Sequence, residues 1–120
     1  MTHTPGPWKI SPIRTKNEFG TVGIDITSHN YRDFATVWNM EGMEEENEAN
    51  AKLIAAAPEL YQILINFVKY NTDEQFAKKQ DMHADEATAG NMSYLEMLSF
   101  KAGSILKDID PETITNPFEN

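Results

Sequence analysis

Between residues 22 and 68 the hydrophobic period of this chain changes from two to about 3.6, and that change limits the folds open to it. Val22, Ile24 and Ile26 alternate with Gly23, Asp25 and Thr27, the pattern of a strand with one buried face. Ser28-His29-Asn30 is turn chemistry, and Tyr31 to Asn39 then supplies a second strand with Phe34, Ala35, Val37 and Trp38 as its packing set. Upstream, Trp8-Lys-Ile-Ser-Pro12 is short and bounded by prolines, which predicts an edge strand. The stretch from Arg14 to Gly20 is polar and reads as connection. Three short strands form a meander that cannot cover its own apolar face, so something must pack on it.

The covering elements are helical. From Glu45 on, Leu53, Ala57, Leu60, Tyr61, Leu64, Phe67 and Val68 recur at helical spacing. Pro58 either opens a second segment or kinks one long helix. Ser93-Tyr-Leu-Glu96 is a capping-box pattern. It opens a helix with Leu95, Leu98, Ala102, Ile105 or Leu106, and Ile109 on one stripe, ended by Asp110-Pro111. Between the two, Thr72 with Gln75 can cap a short helical extension that gives way to a loop ending at Ala89-Gly90-Asn91. The expected architecture is α+β: a small antiparallel meander of about three strands, followed by two main helices packed on it. Residues 1–120 are expected to form a single domain, with an arm and β part over 1–40, a helical part over 45–110 and an extended tail over 111–120. Apolar surface at Leu64, Phe67, Tyr94 and Phe100 predicts a homodimer or higher homo-oligomer.

Charge narrows the partners. The 120 residues carry a formal charge of −9. Residues 1–40 hold four basic against three acidic side chains, a net of +1, and residues 41–120 hold six lysines against 16 acids, a net of −10. Phosphate binding needs clustered Lys or Arg, so direct nucleic-acid binding is not expected. The absence of cysteine excludes disulfides, thiolate metal sites and cysteine nucleophiles. No run of about 18 apolar residues marks a membrane span. The amino terminus has neither the charged nor the apolar region of a signal peptide, so an intracellular protein without membrane contact is expected.

Few residues suggest chemistry. His3, His29 and His83 show no ligand spacing, and the Asp-x-Asp-x-Asp-Gly order of a calcium loop is missing, so neither metal nor cofactor is expected. No phosphate-cradling glycine loop, nucleophile elbow, zinc-protease helix or kinase signature occurs, and the expectation is a non-enzymatic protein. Asp25, His29, Tyr31, Arg32 and Asp33 crowd one hairpin, which is the best ligand-binding spot and the place to look for catalysis. Glu41, Glu44, Glu45, Glu46 and Glu48 sit where a helix dipole favours carboxylates. The same run, above all Glu44, Glu45, Glu46 and Glu48, also reads as a nucleic-acid-like surface that captures a basic host protein.

His3-Thr-Pro-Gly-Pro-Trp8 and Asn50-Ala-Lys-Leu-Ile-Ala-Ala-Ala-Pro-Glu-Leu60 resemble the motifs of a widespread family of small bacteriophage and prophage proteins, with Tyr61 where that family has a second leucine. Elementary packing gives these residues a role first: Pro5 and Pro7 stiffen the arm, Trp8 plugs the seam between sheet and helix, and Ala55-Ala56-Ala57 allows close backbone approach. The resemblance implies a protein of the host bacterial cytoplasm that interferes with anti-phage defence. Similarity in size and layout to nucleotide sponges implies sequestration of a cyclic nucleotide signal. Its phosphate contacts would be Arg14, Lys16 and Arg32, with Trp8, Tyr31 or Trp38 stacking on a base.

Overall fold

The computed structural model describes residues 3–28, 33–39 and 41–112. They form four strands and three helices: β1 (Lys9–Ile10), β2 (Thr15–Lys16), β3 (Val22–Thr27), β4 (Asp33–Trp38), α1 (Glu44–Thr72), α2 (Glu74–Thr88) and α3 (Tyr94–Ile109). The α+β class is as the two periods predict. The chain gathers into two compact units, Met1–Glu59 and Leu60–Asn120. The border therefore falls inside α1 rather than near residue 40, where the charge balance shifts.

In the first unit β3 is central. It pairs antiparallel with β4 from Gly23↔Trp38 to Thr27↔Asp33, with a bulge at Ile26/Thr27. Because β4 takes one edge, β1 and β2 share the other, through Lys9↔Thr27 and Ile10↔Ile26 and then Thr15↔Gly23 and Lys16↔Val22. β2, the strand beyond the three expected, is thus the second half of an edge strand that begins as β1. Ser11 N still donates to Asp25 O at 2.8 Å. Pro12 has no N–H to continue the ladder, and the chain loops out over Pro12–Arg14 before pairing resumes.

Strand alternation divides the predicted packing set. Ile24 and Ile26 are fully buried and meet Ala51 of α1, surrounded by Trp8, Ile10, Ala35, Val37, Ile54 and Ala55. Phe34 and Trp38 have the opposite parity to Ala35 and Val37 and stay 38% and 43% exposed. The helix stripe that lies on the sheet is also not the leucine stripe. Small Ala51 and Ala55 let the helix approach, while Leu53 is 50% exposed. Pro58 neither starts nor ends a helix, since α1 runs through it. The amino-terminal arm crosses this point: a Cβ on Gly6 would stand 2.8 Å from Pro58 Cβ. By length and composition alone α1 has the dimensions of a membrane span, contrary to the expectation from the sequence. An 18-residue window has a mean hydropathy of 1.2, and 6% of it is buried.

The second unit corrects the expected loop between the main helices. The polar stretch after Thr72 is α2, whose N-cap is Asp73, with Oδ1 accepting from Phe76 N at 3.0 Å. Its end is the predicted break: Ala89 (φ 52) and Gly90 (φ 79) are left-handed, and Gly90 N donates to Asp85 O. The capping box of Ser93 and Glu96 opens α3 as expected. Tyr94 is the pivot, stacked on Tyr70 at 5.4 Å and edge-on to Phe76 at 6.3 Å. Tyr70 Oη donates to Asp81 Oδ1 at 2.9 Å. That bond, then burial, then the Asp81 charge raise the Tyr70 pKa above its ordinary 10.0; burial raises that of Tyr94.

Four outcomes follow from this packing. Gly6→Ala forces the arm off a rigid proline ring, and Gly23→Ala drives a Cβ to 2.7 Å from Thr36 Cγ2 and 2.8 Å from Thr15 Cγ2. Each is expected to lower unfolding free energy by about 1–3 kcal/mol in urea titrations. Ser93→Ala is expected to cost about 1 kcal/mol through the lost cap. Since Tyr70 and Tyr94 hold their protons more tightly folded than unfolded, their contribution is complete below pH about 10 and is lost as pH rises through the raised values. Ultraviolet titration of tyrosinate beside thermal melts at each pH measures both sides of that linkage.

Candidate functional site

Of the residues expected to hold a nucleotide, Trp8, Arg14, Lys16 and Trp38 are among the described residues, and they are dispersed over the first unit. Trp8 Nε1 donates to Thr4 O at 3.0 Å, and its ring lies 4.6 Å from Phe34 and against the Ile24–Ile26–Ala51 core. It plugs the sheet, as its motif suggests. Trp38 is at the other end of β3, beside Gly23, and Trp8 precedes the residue paired with Thr27. Four residues of strand put about 13 Å between these two ends, too far for one stacking platform. Arg14 is committed locally: one guanidinium nitrogen donates to Ser11 O at 2.8 Å and the other to Glu48 Oε1 at 3.1 Å. A residue proposed for phosphate and one proposed for a basic partner therefore neutralise each other. Lys16 is exposed on the short edge strand β2. Tyr31, Arg32 and His29 lie outside the described residues. Of the hairpin cluster, Asp25 accepts from Thr36 Oγ1 at 2.7 Å.

A second place in the same unit is built from different residues. Asn17 organises the β2–β3 connection: its Oδ1 accepts from Phe19 N and Thr21 N, each at 2.9 Å, and Gly20 takes φ 79 to close the turn. This sets Phe19 at the tip, 83% exposed. Asn39, just past β4, donates its backbone N–H to Val22 O at 2.8 Å. The Phe19–Val22 segment, Asn39, Glu41 and Glu44 enclose an open hollow of about 340 Å³. Asn39 Oδ1 is buried and has no hydrogen-bond donor among the described residues. Glu45, Glu46 and Glu48 are exposed along the start of α1 next to Glu44.

Two carboxylates, those of Glu41 and Glu44, line this hollow beside the Thr21 hydroxyl and Asn39. With an exposed aromatic ring at the rim, that set suits a guanidinium or ammonium group, which offers donors, positive charge and a cation–π partner at once. It opposes a phosphate. Among the described residues no group of three or more His, Asp or Glu stands close enough to hold a metal ion. Sequence reasoning named Glu41 and Glu44 but not Phe19 or Asn39. The Asn17-x-x-Gly20 turn was a readable signal for Phe19, whereas Asn39 is brought there only by its pairing beside Val22.

No curated protein and no solved structure matches the chain. A family model does: that of the Salmonella phage P22 protein Y8K6, over residues 1–93. The match takes in both resemblance motifs, the whole sheet, α1 and α2, and stops at the cap of α3. With more than three quarters of its length matched, the chain belongs to the family of the Salmonella phage P22 protein Y8K6, a family of bacteriophage proteins.

Proposed function

We propose that this phage protein is a non-enzymatic binding protein of the host cytoplasm that interferes with anti-phage defence by engaging a basic surface of a host protein. The observation that carries this reading is the hollow between the Phe19 turn and the start of α1, with the carboxylates of Glu41 and Glu44 in its lining and an exposed aromatic ring at its rim. The formal charge of −9 adds long-range attraction for a basic partner and repulsion for nucleic acid. Glu44, Glu45, Glu46 and Glu48 extend the acidic surface along the helix. Glu48 is the weakest contributor, because Arg14 already occupies it.

Sequestration of a cyclic nucleotide is the second reading. It draws on Trp38, whose ring is 43% exposed beside Thr15 and Thr36, with Lys16 next in the chain. It is less well supported than partner capture because the Arg14 guanidinium is already paired and Trp8 is built into the core.

The two readings separate on binding measurements. Calorimetric titration with an arginine-rich peptide is expected to show binding that weakens steeply with salt and is lost when Glu41, Glu44, Glu45 and Glu46 are all changed to Gln. Unchanged affinity in that variant contradicts the reading. A thermal shift with a cyclic dinucleotide, abolished by Lys16→Ala with Trp38→Ala, establishes the nucleotide reading instead. Asn39→Leu is expected to leave stability in urea titrations equal or higher, by up to about 1 kcal/mol, because it removes a buried acceptor without a donor among the described residues.

A further inference from the structure

The second unit carries a surface that its described residues leave open. Along the Leu60–Thr72 half of α1, Leu64 is 63% exposed, Val68 57% and Phe67 49%. Leu64 and Val68 are four residues apart and stand on one face as a ridge. Next to that ridge runs a groove of about 310 Å³ between α1 and α3, walled by Ile63, Leu64 and Phe67 on one side and Leu95, Leu98 and Ala102 on the other. Ser99 completes it, and among the described residues no charged side chain lines it. Leu95, on the far wall, is 38% exposed. Ridge and groove share Leu64, so they form one continuous apolar surface on a strongly acidic chain.

We propose that this surface is one half of a two-fold interface and that its occupant is the same surface of a second copy of the chain. A two-fold contact requires a patch complementary to itself, and a ridge lying beside a groove meets that requirement: each copy's Leu64 and Val68 enter the other copy's groove. The area is of the right order. Taking about 200 Å² for a whole large side chain, the exposed fractions of Tyr61, Leu64, Phe67, Val68 and Leu95 amount to roughly 500 Å² per copy. With its rim, such a patch approaches the ~800 Å² per partner of a standard interface. Charge points to a copy of the chain as well. A basic partner would be drawn to the acidic residues, whereas the groove itself offers no charge to pair. Two copies of charge −9 associate there by burial alone, against their mutual repulsion.

Sedimentation velocity and light scattering on the full chain test this. The wild type is expected to be a dimer at about 100 µM that tightens as NaCl rises from about 0.05 to 0.5 M, since salt screens the repulsion and spares the apolar contact. Leu64→Glu and Leu95→Lys, both at exposed positions of the single chain, are each expected to weaken dimerisation by about thirtyfold or more while far-ultraviolet dichroism stays unchanged. A wild type that stays monomeric, or a dimer that neither substitution affects, overturns the proposal. So does association that salt weakens, a readout that needs no variant. A monomer that cosediments with neutral phosphatidylcholine vesicles through Leu64 also overturns it, and assigns the surface to a bilayer.

Discussion

The contact of Ile24 and Ile26 with Ala51 is the constraint on which the first unit rests. Both isoleucines are wholly buried, on one strand whose two edges are both occupied, and the helix residue that meets them is too small to hold the helix away. Everything near the hollow takes its position from that seam. β3 fixes Val22, which holds the backbone of Asn39 and pairs with Lys16 at the edge from which the Phe19 turn springs. The seating of α1 on the sheet in turn places Glu44 at the hollow's rim. The amino-terminal arm strengthens the seam from outside, with Gly6 against Pro58 and the Trp8 ring over the core. The two motifs that suggested a phage family are thus neighbours in space, and their glycine, proline and tryptophan have packing roles that need no ligand.

Charge and apolar surface do separate work in this chain. The acidic residues at the start of α1 serve the helix dipole, and Glu44 joins Glu41 in the lining of the hollow. In the second unit an aromatic cluster of Tyr70, Phe76 and Tyr94 holds the helices, and the leucines and valine outside it are left over. A chain with both features can recognise a basic partner at one place and bury apolar surface at another, without the two competing for the same side chains.

Much of the first unit was legible because strand alternation is a strong local signal: Ile24, Ile26, Ala35 and Val37 are where their parity puts them. The broken edge strand was less so, since Pro12 interrupts a pairing that resumes only through contacts with β3. In α2 just Ala84 is buried, and so few apolar positions leave no period to read; its cap, Asp73, stands one residue from the expected Thr72. Helical spacing identifies the apolar face of α1 without naming what lies opposite it: Leu53 is half-exposed rather than packed on the sheet, whereas Leu64 and Phe67 are exposed as expected. The candidate site was legible in part. Glu44 follows from the acidic first turn, but the pairing of Arg14 with Glu48 joins residues 34 apart in sequence, and Asn39 looks out onto the hollow only once β4 is paired.

The central claim is that the hollow lined by Glu41 and Glu44 is a binding site for a cationic side chain. Amide chemical-shift mapping of the full chain during titration with an arginine-rich peptide tests it most directly. The account predicts saturable shifts concentrated at Phe19–Val22, Asn39, Glu41 and Glu44, with Trp38 and Lys16 unmoved. Shifts centred on Trp38 and Lys16, or none that saturate around the hollow, would contradict it.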